Sequence, residues 1–272
     1  MKIPIKLVLV VLCYRETEDI KKMLDSIRDK RKNISVILVN SYYDESTKES
    51  FQKIANEHNT DFINIENKGY GYGNNRGIEY ANNHYEYEYL GICNPDIKFN
   101  RLPLEIFTEE FYDSIIAPRI ITKTEREQNP YYYSHLKVVD WLKYIAFKRN
   151  YSFAYYAGVA INKVYRETRL VIEKITNRSK TKIYACHGSC FFIGYKAANK
   201  IGVPYNEEMF LFHEEEHLAR IARNKNIPTV FIKDINIKHF EDGSSVDIKK
   251  NGSISKYMKQ SYITFYNYWN KN

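Results

Sequence analysis

Seven consecutive apolar residues near the start, 7–13 (LVLVVLC), constrain this chain more than any other feature. A strand with one wet face alternates apolar and polar side chains. An unbroken apolar run therefore predicts a strand covered on both faces, as in a parallel sheet between helical layers. The pattern then repeats. Ile20, Met23, Leu24 and Ile27 recur at one-face helical spacing behind Thr17 as N-cap, and residues 34–39 form a second apolar run. Residues 44–58 read as a second helix with Phe51, Ile54 and Ala55 inward, and 61–65 as a third strand. A glycine-rich loop, a helix from about Asn74 and a fourth strand over 89–93 follow. Such β-α repeats predict an α/β fold with a doubly wound, mostly parallel sheet, its ligands bound at the carboxyl ends of the strands.

The second half reads differently. Residues 101–183 are predicted mostly helical with one short strand near 115–117. Next come a strand over 184–193, a short helix, a helix opened by an acidic cluster, a strand over 229–233, a loop over 243–252 and an amphipathic helix over 254–269. With 272 residues, 44% of them hydrophobic and 27% charged, the chain can bury a core, which excludes a disordered or fibrous class. Cys13, Cys93, Cys186 and Cys190 lie in apolar runs without a C-x-x-C pair, so buried free thiols of a reducing cytoplasm are expected rather than a thiolate zinc site. The start imitates a signal peptide, but its apolar core is short and runs directly into RETED, so it is read as the first strand. No stretch approaches the ~20 apolar residues of a membrane span.

Charge is concentrated. The chain carries 41 Lys+Arg against 33 Asp+Glu, and residues 136–182 account for the whole surplus: eleven Lys and Arg against Asp140, Glu167 and Glu173. Trp141, Tyr144, Phe147, Tyr151, Phe153, Tyr155, Tyr156 and Tyr165 are interleaved with them. A basic, aromatic, helix-compatible segment suits an anionic membrane surface or nucleic acid, and its bland alternative is a solvated helical face.

Four motifs carry chemistry, each with a structural alternative. Asn67 to Gly77 (NKGYGYGNNRG) nearly spells the dinucleotide fingerprint but is one residue too long; glycines there let backbone approach a diphosphate, or simply make a turn. Asn94-Pro95-Asp96 follows the fourth strand, where a carboxylate leaving water and phosphate positions open suits a divalent ion; it also suits a plain turn. His213-Glu214-Glu215-Glu216-His217 matches the zinc-protease pattern H-E-x-x-H, with Glu214 as base, or makes an acidic first turn favoured by the helix dipole. His239, after a strand and before Gly243 and Ser245, is the fourth.

Taken in order, these pieces resemble the inverting family 2 glycosyltransferases, in the rhamnosyltransferase-like branch that builds bacterial surface and capsular polysaccharides. The resemblance rests on the Asn67–Gly77 loop, Asn94-Pro95-Asp96, His187-Gly188-Ser189 before an apolar strand, Phe210-Leu211-Phe212-His213-Glu214-Glu215, and His239-x-x-x-Gly243-x-Ser245. It implies a glycosyltransferase A fold, a Rossmann-like, mostly parallel sheet with a helical acceptor-side insertion. Residues 1–100 would bind the nucleotide-sugar, residues 101–245 the acceptor with the catalytic groups, and 246–272 would be a helical tail. It further implies a UDP- or dTDP-sugar donor, a saccharide acceptor on a polyprenyl carrier, no nucleic acid, and a cytoplasmic protein peripheral to the inner membrane face. Asp96 and His239 would hold Mn²⁺ or Mg²⁺, and Glu215, with Glu214 second, would be the base. Asn40, Asn67, Gly69, Asn74, Asn75, Asn94 and Asp96 would line the donor site. The chain departs from the family in three places: Asn40 and Glu215 stand where the family has Asp, and His217 where a further Asp is usual. The other readings are a zinc hydrolase built on His213 and His217, and a non-catalytic nucleotide-sugar-binding protein.

Overall fold

Alternate residues of the first strand enter two different cores. In a computed structural model of the chain, β1 (Ile3–Cys13) sends Leu7, Leu9 and Val11 to one apolar cluster and Val8 and Val10 to the other, all fully buried. Burying one such side chain is worth about 1.5–3 kcal/mol, so an apolar run of this length belongs in the middle of a covered sheet. The structure describes residues 2–176, 179–241 and 253–270.

Around β1 the chain builds α1 (Glu18–Asp25), β2 (Ile34–Ser41), α2 (Glu45–Glu57), β3 (Asp61–Ile65), α3 (Tyr70–His84) and β4 (Tyr85–Cys93). β1 pairs in parallel with β2 and β4, and β2 with β3. The first core closes under α1 and α2 through Ile20, Met23, Phe51 and Ile54; the second closes under α3 through Ile78 and Ala81. Thr17 stands at the N-cap of α1 without a capping hydrogen bond, whereas Asp44 caps α2 by accepting the Thr47 N–H at 2.8 Å.

The second half adds β5 (Ile97–Arg101), β6 (Ile115–Thr122), α4 (Lys137–Arg149), α5 (Ser152–Thr176), β7 (Lys180–Ile183), β8 (Cys190–Gly194), α6 (Tyr195–Ile201), α7 (Glu214–Asn224), β9 (Thr229–His239) and α8 (Ser253–Asn270). The described strands form one nine-stranded sheet in the order β3-β2-β1-β4-β8-β6-β9-β5, with β7 also on β9. β8 runs antiparallel between β4 and β6, so the sheet is continuous across both halves of the chain.

Three sequence expectations change. The single strand over 184–193 is two, β7 and β8, separated by a loop that carries His187, Gly188 and Ser189. The stretch before Lys137 is turns and short 3-10 segments around the eight-residue β6, with the helices confined to α4 and α5. The glycine-rich loop is mostly helix, because α3 starts at Tyr70 instead of Asn74. The expected loop over 243–252, with Gly243 and Ser245, lies outside the described residues.

Candidate active site

The carboxyl ends of the strands bring together residues far apart in sequence. Asp96 precedes β5 and His239 ends β9, and these antiparallel strands place them side by side: Ile97 pairs with His239, and the Phe240 N–H donates to the Asp96 carbonyl at 2.9 Å. His239 Nε2 lies 3.3 Å from Asp96 Oδ1, both buried. The tautomer of His239 follows from its other nitrogen. Gln128 Nε2 donates to Glu241 at 2.9 Å, so Gln128 Oε1 accepts from His239 Nδ1 at 2.8 Å. Nε2 then faces an Asp96 carboxylate oxygen that has no hydrogen-bond partner among the described residues. An imidazole nitrogen beside a carboxylate oxygen is a donor pair that fits Mn²⁺ or Mg²⁺. The pair is small: among the described residues no group of three or more His, Cys, Asp or Glu is arranged to hold a metal ion.

The loop between β7 and β8 connects this pair to the acidic helix. The His187 ring packs 5.7 Å from that of His239, while the Gly188 N–H donates to Glu215 Oε1 at 3.3 Å. The Ser189 N–H donates to His187 Nδ1 at 3.1 Å, so His187 carries its proton on Nε2. Burial, with His239 beside it, lowers His187 to about 3 and keeps it neutral. A Cβ on Gly188 would fall 2.7 Å from Glu215 Oε1, so the carboxylate occupies space that only glycine leaves open.

Three glutamates open α7, and their surroundings separate them. Burial first, then the adjacent Glu216 charge, raises Glu215 to about 7. Glu214 is pushed well up by burial and by Glu215, and its Oε1 is buried without a partner among the described residues. For Glu216, burial works upward but is outweighed by His213 and Lys143, which hold it well below the usual carboxylate range. His213 Nδ1 lies 3.3 Å from Glu216 Oε1, Lys143 Nζ reaches it from α4 at 3.4 Å, and the Tyr132 hydroxyl donates to it at 3.3 Å. The turn into α7 is strained: Phe212 and His213 both have left-handed backbone, φ 78° and 72°.

Of the residues expected to line a donor site, Asn40, next to last in β2, is fully buried, its Nδ2 donating to Asn64 Oδ1 at 2.6 Å and its Oδ1 left without a partner among the described residues. Asn67 is exposed before α3. Gly69 does not face open space: at φ 107° a Cβ there would lie 2.3 Å from the Phe210 carbonyl. The diphosphate-cradle reading of the glycine loop is corrected accordingly. Gly69, Gly73 and Gly77 recur every four residues, and a Cβ on the last two would meet Leu12 at 2.4 Å and Val10 at 2.2 Å. These glycines let α3 lie close against Phe210 and the sheet.

Asn74 is buried with Nδ2 donating to the Tyr70 carbonyl and Oδ1 unpaired among the described residues. Asn75 commits its amide to the protein, donating to the Tyr205 carbonyl at 2.9 Å and Glu207 at 3.1 Å while accepting the Tyr205 N–H at 3.1 Å. Its bonds brace the 205–207 turn. Asn94 donates its N–H to the Ser189 carbonyl, and its Oδ1 lies 3.3 Å from the Tyr70 hydroxyl, which also donates to the Gly188 carbonyl at 2.9 Å. Two surface cavities, one lined by Tyr184, Ala219 and Arg223 and the other by Leu24, Arg31 and His58, include none of these groups.

The zinc reading of HEEEH fails on this geometry. His213 precedes the helix in a left-handed conformation, so the two imidazoles do not share a helical face. His217 Nδ1 accepts the Trp269 N–H at 3.0 Å, and burial lowers His217 to about 4: it is a neutral anchor for α8. Sequence reasoning had passed over Tyr70, Asn64, Gln128, Lys143 and Glu216. Only Tyr70 and Glu216 lie inside a motif, and Lys143 looks like any other cation of the basic segment.

A sheet of this topology, with a carboxylate and a histidine at its carboxyl edge and buried glutamates across a glycine loop, has the glycosyltransferase A type of fold. Residues 8–202 match the family described as Glycosyl transferase family 2, and the chain belongs to that family. It is 23% identical over 231 residues to the low-salt glycan biosynthesis hexosyltransferase Agl10 of Haloferax volcanii, covering 80% of this chain and 62% of that protein. In structure it is similar to S. aureus TarS, with a TM-score of 0.56 at 12% identity over 87% of this chain and 37% of that one. GalNAc-T7, solved with UDP, GalNAc and Mn²⁺, matches with a TM-score of 0.60 at 11% identity over 87% and 44%. The chain thus spans under two thirds of the length of each of these proteins. Among the described residues no helix is long and apolar enough to cross a membrane.

Proposed function

We propose that this chain transfers a sugar, with inversion, from a UDP- or dTDP-sugar to a saccharide on a polyprenyl-linked carrier, in the assembly of capsular or cell-surface polysaccharide at the cytoplasmic membrane face. Residues 1–100 would hold the donor and 101–245 the acceptor. The observation that carries the reading is the His187-Gly188 loop, which touches His239 with one residue and Glu215 with the next. Inversion needs a base on the side of the anomeric carbon opposite the leaving diphosphate.

A sugar hydroxyl is a poor nucleophile at neutral pH, so Glu215 takes its proton as the bond forms. A carboxyl raised to about 7 is a better base than an ordinary one yet still ionises near neutrality. Glu214, adjacent to it in the first turn of α7, is the second candidate. Mn²⁺ or Mg²⁺ held by Asp96 and His239 would neutralise the charge developing on the diphosphate. Gln128 fixes the His239 tautomer for that task. Asn40, its Nδ2 spent on Asn64, offers Oδ1 as acceptor to the N3–H of uracil or thymine, which supports UDP or dTDP. The Mn²⁺ and UDP bound to GalNAc-T7 and the hexosyltransferase activity named for the Haloferax relative support the same assignment.

Thermal unfolding with UDP, dTDP, GDP or CMP, each with and without Mn²⁺, tests it. A uracil or thymine nucleotide at about a hundred times its Kd should stabilise by about 2.7 kcal/mol, and Asp96→Ala should abolish the metal-dependent part. Stabilisation by GDP or CMP alone overturns the base assignment, and no response to any nucleotide overturns the donor site.

A further inference from the structure

The helix α5 is packed with its amphipathic faces reversed. Its inward side is rich in polar groups, with Leu170 packed on the core among them: Arg166 donates to the carbonyls of Pro130 and Glu127, Tyr165 bonds Ser134, the Arg169 guanidinium lies over the Tyr133 ring, and Glu173 is buried. Its outward side is apolar. Phe153, Tyr156, Val164, Val171 and Ile175 fall on one helical face and are exposed, Phe153 by 87%, Val164 by 68% and Ile175 by 78%. The neighbouring α4 exposes Val138 and Trp141 as well. A solvent-facing helix ordinarily has the opposite arrangement, and an apolar stripe along a helix about 37 Å long marks an interaction surface.

Charge identifies the occupant. Lys137, Lys148, Arg149 and Lys163 are exposed on this hairpin, whereas of its three acids Asp140 is turned in to Arg220 and His135 and Glu173 is buried, leaving Glu167 outside. Two copies meeting through this face would set like charges together; an anionic lipid surface would pair with them while its acyl boundary takes up the aromatic and aliphatic side chains.

We infer that the α4–α5 hairpin is a membrane-docking element that lays the outer face of α5 into an anionic lipid surface. Gly158 of α5 packs on α4 beside Leu142 and Lys143, and Lys143 reaches Glu216 next to the proposed base, so the docked surface lies one helix layer from the site. Docking stands on the exposed surface alone; only its use for a lipid-borne acceptor rests on the transferase reading.

Vesicle flotation of the full chain tests it. The protein should float with vesicles containing phosphatidylglycerol and not with phosphatidylcholine alone. Phe153→Ser/Val164→Ser/Ile175→Ser should lower partitioning roughly tenfold or more, and Lys148→Gln/Lys163→Gln about 25-fold, at about fivefold per cation. Both variants alter exposed positions and should keep the wild-type melting temperature and nucleotide-induced thermal shift, which separates failure of docking from failure of the donor site. Wild-type protein that ignores anionic vesicles, or a triple serine variant that floats equally well, overturns the inference. A concentration-dependent dimer in sedimentation velocity that the triple variant abolishes overturns it in favour of a second copy.

Discussion

Glu215 draws its chemistry from being one of three adjacent carboxylates with unequal surroundings. Glu216 is held ionised by Lys143 and His213, and its charge, added to burial, delays ionisation of Glu215 to about 7. Only the ionised carboxylate can accept the acceptor's proton, so transfer should fall on acidification below about 7 and level off above it. Glu215→Gln should lose this limb and about 10²–10⁴ of kcat while keeping the nucleotide-induced thermal shift. Near-wild-type turnover in that variant would pass the role to Glu214. The raised value has a stability sign as well. The folded chain holds this proton more tightly than the unfolded one, so the contribution is complete below the ordinary 4.5 and lost as pH rises through about 7.

At the scale of elements, the site depends on buried polar contacts between helices. Lys143 of α4 reaches Glu216 of α7 with both side chains buried. Removing one partner of a buried ion pair leaves the other charge uncompensated, at about 3–5 kcal/mol. Lys143→Met should therefore lower the unfolding free energy by that amount. It should also move the acid limb of the pH–rate profile to higher pH, because Lys143 opposes the rise of the Glu215 value. A melting-temperature loss with an unmoved limb would make Lys143 a purely structural residue. The alternating elements of the first half were legible because burial on both faces leaves a continuous apolar signature, as in 7–13. The start of α3 was not: glycines at 71 and 73 are poor helix formers, and their reason, the close approach of Tyr205 and Leu12, is tertiary.

Across the whole molecule, α8 holds the turn into α7 from outside. Tyr262 and Phe265 are buried beneath it, Tyr257 stacks on Phe210, Ser261 donates to the Leu211 carbonyl at 2.8 Å, and Trp269 donates to His217. The Tyr257, Ser261 and Trp269 contacts all fall on segment 210–217, where two consecutive left-handed residues precede Glu214. Trp269→Phe keeps an aromatic ring and removes the donor, which should cost about 1–3 kcal/mol for the His217 Nδ1 left unpaired. Turnover should fall with it while the nucleotide-induced shift persists; a loss of nucleotide binding in this variant would show that the brace reaches the donor side.

The sequence alone determined the α/β class and the parallel first half, and it placed Asp96, Glu215 and His239 in short motifs, because apolar periodicity and short motifs are local properties. Tertiary structure decided what those residues face. His213 and His217 were drawn apart by a left-handed turn and a tryptophan from the far end of the chain. Asn75 was bound to a turn 130 residues away, and Lys143 was singled out from eleven cations by burial against Glu216. The physical reason is that partners of a buried polar group are chosen by packing, and packing brings together residues that no sequence window contains.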